Sequence, residues 1–146
     1  MPYPVHSPYL RRLLCYELVY IQAPGLLMES CYCDYGSPEF YTKETRRARK
    51  QHRCVECRRE IRPEEIYEHV YGKWDGEVHV FKTCSHCLEL RQHTLSTVPC
   101  FCFSYGDLRV EALDTLWHYK CEAPGAWFKA ARLVVTTNKL KRGGEA

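Results

Sequence analysis

At 146 residues, 45% apolar and 27% charged, the chain is about the size of one folded unit of ordinary soluble composition. It has no low-complexity block and no run near the about 18 apolar residues that a membrane span needs. A net charge of +3 is too small to imply a nucleic-acid partner by itself, whereas ten cysteines call for either a disulfide framework or a metal site.

Residues 1–27 hold four of the eight prolines, one isolated cysteine, and one hydrophobic stretch suggesting a short helix over residues 9–20. They read as a loosely packed arm or, because Met28 follows, as an upstream extension. Arg11 and Arg12 ahead of an apolar stretch make a poor export signal, since Glu17 and Gln22 interrupt it and no small-residue cleavage site follows. The cytoplasm, where thiols stay reduced, is therefore the expected compartment. Residues 28–106 form a cysteine-rich body and residues 107–146 a helical part packed on it.

Within the body, Asp34, Gly36, Ser37 and Pro38 predict a loop, and residues 42–50 a short basic helix or an arm. Two β-favouring runs, residues 66–71 and 78–81, flank Asp75-Gly76 and predict a hairpin. Residues 88–93 open a helix that ends by Pro99. Residues 107–120 read as a second helix, with Asp107 able to cap it and Leu108, Ala112, Leu113, Leu116 and Trp117 as its apolar stripe. After Ala123-Pro124-Gly125, Trp127, Ala131, Val134 and Val135 suggest a third helix.

Eight cysteines fall into four pairs: Cys31/Cys33, Cys54/Cys57, Cys84/Cys87 and Cys100/Cys102. A CxxC turn presents two thiolates to one metal, and CxC on extended chain does likewise because residues i and i+2 share a face. Four pairs supply two Cys₄ sites, the number of soft ligands a structural zinc takes. The nested arrangement joins Cys54/Cys57 to Cys84/Cys87 and Cys31/Cys33 to Cys100/Cys102; an interleaved cross-brace is its rival. The inner site would enclose the hairpin and open onto a helix, so the expected fold is α+β: a small zinc-stabilised, treble-clef-like module with two or more additional C-terminal helices. Two zinc ions are expected, both structural, because four thiolates leave no position for an activated water. A redox dithiol would need a βαβ framework, which is not visible, and Cys₄ also suits iron–sulfur clusters. Cys15 and Cys121 are unpaired in this scheme and read as small buried apolar residues.

Charge is uneven along the chain. Residues 43–62 carry nine basic and three acidic side chains, so this stretch is +6 and the remainder −3. Arg46, Arg47, Arg49, Lys50, Arg53, Arg58 and Arg59 surround the first CxxC and are candidate phosphate contacts, with Tyr41 or Trp74 nearby for stacking. The plainer reading is a solvated charged surface, and Trp74 equally suits a protein contact. Glu68-His69, on the first hairpin strand ahead of a CxxC, resembles the acid and base of HNH nucleases, whose metal-bound core also sits on a treble clef. The only asparagine is Asn138, so that motif's central Asn is missing and His69 reads as an ordinary strand residue. No phosphate loop, Ser-His-Asp arrangement or small-molecule site stands out.

From residue 48 to residue 91 the string ARKQHRCVECRREIRPEEIYEHVYGKWDGEVHVFKTCSHCLELR resembles a group of small, uncharacterised cysteine-rich proteins of bacteriophages and bacterial genomes, as do CDYGSPEFY before it and VPCFC after it. The resemblance implies zinc binding and a phage or prophage setting. Glu65 departs from the pattern, a glycine in a Pro-Gly-Glu turn being more usual there. The expectation is thus a non-enzymatic zinc module that binds nucleic acid or a host protein, with an HNH-like nuclease and a purely protein–protein adaptor as alternatives.

Overall fold

The computed structural model describes residues 38–98 and 100–143. These form an α+β arrangement of small antiparallel sheets and three helices. The strands are β1 (Phe40–Arg47), β2 (His52–Arg53), β3 (Glu60–Ile61), β4 (Ile66–Trp74) and β5 (Glu77–Cys84). The helices are α1 (Ser85–Thr97), α2 (Leu108–His118) and α3 (Ala126–Gly143).

The expected hairpin is β4–β5, paired from Tyr67↔Cys84 to Trp74↔Glu77. Asp75 and Gly76 both have positive φ, 51° and 82°, the conformation a two-residue type I′ turn needs. Inside β4, Gly72 is required for a steric reason. A Cβ there would lie 2.6 Å from the Trp74 ring, which folds back over it to meet Phe81 and Tyr105.

One element departs from expectation. Residues 40–47 are a strand, not a basic helix, and pair antiparallel with β4 from Phe40↔Lys73 to Arg47↔Ile66, giving the order β1-β4-β5. Lys, Glu and Arg favour a helix locally. The exposed edge of β4 offers this segment a row of backbone partners instead, and tertiary pairing overrides propensity.

The sheet has two unlike faces because side chains alternate along each strand. One bears Glu68 and Val70 and lies toward α1, where Arg91 pairs with Glu68. The other bears Phe40, Thr42, Glu44 and Arg46 of β1, Tyr67, His69 and Tyr71 of β4, and Val80 and Lys82 of β5. The helices supply about half of the core. Leu90 of α1, Leu108, Ala112 and Leu116 of α2 and Ala130 of α3 are buried together with Ile61 and four cysteines. The stripe read for α2 holds except at Trp117, which is exposed and stacks edge-on against Trp127. Among the described residues no helix is long and apolar enough to cross a membrane.

Candidate metal centre

The first CxxC sits in the turn between β2 and β3. Arg58 N–H donates to the Cys54 carbonyl at 3.0 Å, and Cys54 N–H to the Arg59 carbonyl at 2.9 Å. Arg58 takes the left-handed conformation, φ 62°, which reverses the chain and leaves both thiols on one side. A further bond, Val55 N–H to the Lys82 carbonyl at 2.8 Å, seats this knuckle on β5. The second pair spans the β5–α1 junction. Cys84 occupies the N-cap of α1 and Cys87 lies in its first turn, so the helix starts before Cys87 rather than after it. That turn carries no acidic side chain and no side-chain cap. Thiolates there meet the positive end of the helix dipole.

Cys54, Cys57, Cys84 and Cys87 therefore converge, all buried, with their sulfurs within 4.8 Å of one another. They are free thiols. Cys57 and Cys84 sulfurs are 3.8 Å apart, far beyond a disulfide bond of about 2.05 Å. A tetrahedral ion with metal–sulfur bonds of about 2.3 Å spaces its ligands by about 3.8 Å, so the cluster fits one. Cys84 N–H donates to Cys54 Sγ at 3.3 Å, support of the kind that orients metal ligands. The thiols also bond to one another and divide their acidity. Cys84 is pushed well below the ordinary thiol range, first by Cys54, and Cys54 below it, first by Cys57. Cys57 and Cys87 are pushed up, each first through Cys54. Without a metal the cluster cannot hold four thiolates together; with one, all four can be anionic. The four cysteines can thus hold a metal ion.

Cys100, Cys102 and Cys121 are disulfide-bonded. A disulfide sulfur has no thiolate charge to give a metal, so ligation by Cys100 and Cys102 would require their reduced form. Cys121 is likewise not the buried, unpaired thiol expected of it. Cys31 and Cys33, expected to share a second ion with Cys100 and Cys102, lie outside the described residues, as does Cys15.

Two buried charges next to the centre escaped sequence reasoning. Glu56, between the two knuckle ligands, accepts hydrogen bonds from Gly106 N–H (3.0 Å) and Leu108 N–H (3.2 Å). It caps α2 across the fold, where Asp107 occupies the N-cap but its side chain makes no capping bond. Burial raises the Glu56 carboxyl to about 7. Arg59 is equally buried and makes a bidentate pair with Glu65, at 3.1 and 2.8 Å. Glu65 raises the basicity of that guanidinium, with a smaller contribution from the Cys84 charge.

The candidate phosphate contacts divide accordingly. Arg59 is spent internally. Arg46, Arg47, Arg49 and Lys50 line one open groove of about 1020 Å³, with His52 and Tyr67. Arg46 pairs with Glu44, and Arg47 with Glu64; Arg49 and Lys50 make no ion pair among the described residues. Arg53 and Arg58 are exposed and border a separate small cleft with Arg62 and Lys141. Burial lowers the pKa of His52, with Lys82, 3.0 Å from its Nδ1, adding to the effect. Of the two suggested stacking residues, Trp74 is committed to Phe81 and Tyr105, and Tyr41 is exposed.

Glu68 and His69 are neighbours in β4 and so point to opposite faces of the sheet. Glu68 is buried against Arg91. His69 lies on the open face, its pKa lowered by burial and then by Arg46. They do not converge on one water or metal, as a nuclease pair must. Comparison with family models, curated proteins and solved structures found no match for this chain.

Proposed function

We propose that this chain is a zinc-stabilised, treble-clef-like module that binds nucleic acid and carries out no catalysis. Zinc is favoured by the donor set: four buried cysteine sulfurs, a tetrahedral spacing and no open coordination position describe a structural site. The treble-clef reading rests on the order knuckle, hairpin, helix, with ligands at the first and last of these. Its resemblance to small cysteine-rich phage proteins suggests an accessory factor in a phage or prophage.

The observation that carries the nucleic-acid reading is the groove. Four basic residues that the sequence only places near one another, Arg46, Arg47, Arg49 and Lys50, line a single concavity. His52 of that groove belongs to β2, two residues before the ligand Cys54. Metal binding would therefore fix one wall of the surface that meets phosphate. Such binding is salt-dependent because each neutralised phosphate releases counterions.

The test is fluorescence anisotropy with labelled oligonucleotides across a salt series. Affinity should fall steeply with salt, and replacing Arg46, Arg47 and Arg49 by Ala should abolish it. Salt-insensitive association with a protein, and none with nucleic acid, would replace this reading with the adaptor.

A further inference from the structure

Resting on the nucleic-acid reading, we infer that the ligand is single-stranded and that its bases lie on the open face of the β1-β4-β5 sheet, over Phe40 and Tyr71. That face is built in cross-strand rows. Nearest the hairpin tip are Phe40, Lys73 and Val78; next come Thr42, Tyr71 and Val80; then Glu44, His69 and Lys82; then Arg46 and Tyr67. The last row opens into the basic groove.

Aromatic and apolar side chains are normally the first to be covered. Here Phe40 is 45% exposed, Tyr71 40%, Val78 53% and Val80 50%. The Phe40 and Tyr71 rings are 5.8 Å apart and tilted, so each keeps an open surface rather than closing on the other. The opposite face is handled differently, Trp74 and Phe81 there being packed against Tyr105.

Charge runs in one direction along this face. The acids bordering it are neutralised by partners, Glu44 by Arg46 and Glu39 by Lys73. Arg49 and Lys50, which make no ion pair among the described residues, lie at the groove end. A ligand with phosphates in the groove and flat unpaired bases on the aromatic end complements both. Six residue steps along β1 lead from Phe40 to Arg46, about 20 Å of strand, which is room for several nucleotides. A duplex keeps its bases stacked inside and offers these rings nothing, whereas stacking on aromatic side chains is the usual means of holding single strands.

The experiment uses the full, metal-loaded chain with labelled oligo(dT), oligo(U) and a blunt duplex at one salt concentration. Oligo(dT) or oligo(U) should bind at least about ten-fold tighter than the duplex, and the preferred one of the two identifies DNA or RNA. Phe40→Ala and Tyr71→Ala should each weaken single-strand binding about ten-fold. Both residues are exposed, and unchanged metal content and circular dichroism will verify the fold. The salt slope should stay at its wild-type value in these variants and decrease in Arg49→Ala. Equal binding of duplex and single strand, or aromatic variants of undiminished affinity, would overturn this inference and leave nucleic-acid binding standing. Failure of all three probes at low salt would overturn both.

Discussion

Removing the carboxylate of Glu65 exposes how the Cys54/Cys57 knuckle is held. The Arg59 side chain is 9% exposed and that of Glu65 35%, joined by two N–H···O bonds. Breaking a fully buried pair from one side costs about 3–5 kcal/mol. Solvent at Glu65 screens part of that, so Glu65→Gln should destabilise by about 2 kcal/mol. Arg59→Met should cost less, about 1 kcal/mol, because the orphaned carboxylate can turn to water. The double variant should be less damaged than the two single effects combined, with a coupling of about 1–2 kcal/mol. Urea unfolding of the metal-saturated protein, followed by tryptophan fluorescence, reads all four species. The pH dependence has a definite sign. Arg59 holds the Glu65 carboxyl below its ordinary value, so the pair contributes fully above the unfolded carboxylate value, near 4.3, and is lost as pH falls through the folded one. The gap between wild type and Glu65→Gln must therefore close on acidification. Additive single effects, or a gap that widens in acid, would refute the argument.

Chelation should unfold the chain, because zinc in such a centre contributes on the order of 10 kcal/mol; circular dichroism and melting unchanged after metal removal would contradict this. Native mass spectrometry of the unreduced protein should show one zinc per chain, and a second ion after mild reduction would restore Cys100 and Cys102 as ligands. Glu56→Ala should cost about 2–3 kcal/mol by stranding two buried N–H groups, with faster hydrogen exchange at Gly106 and Leu108 as its local readout. Glu64 has φ 72°, so Glu64→Gly should stabilise by about 0.5–1 kcal/mol in urea unfolding despite losing its exposed contact with Arg47.

The parts of this fold that local sequence encodes were the legible ones. Asp75-Gly76 dictates its turn through backbone conformation, and the stripe of α2 follows from its period. The two CxxC pairs meet because a knuckle and a helix N-terminus each turn two thiols one way. The parts that depend on partners distant in sequence were not legible. Nothing in the segment Phe40–Arg47 marks it as a strand until the free edge of β4 is there to pair with. Arg59 reads like Arg58 beside it, and only the turn that brings Glu65 to it separates it from the surface arginines. The departure noted at Glu65 is answered in the same way: its carboxylate is used, and the residue under backbone strain is Glu64. Glu56 carried a weak signal, a lone acid between two buried cysteines able to hold a metal, where only a nearby donor could make it tolerable.

The reach of Glu56 sets an order of assembly. A chain leaving the ribosome presents Cys54, Cys57, Cys84 and Cys87 before α2 has emerged, and the four cysteines can come together at that stage. Glu56 then waits without a hydrogen-bond donor until Gly106 and Leu108 emerge. The two C-terminal helices are thus added to a set of four cysteines already in place, and if that set needs an ion to close, a shortage of metal would leave them without a formed surface to dock against.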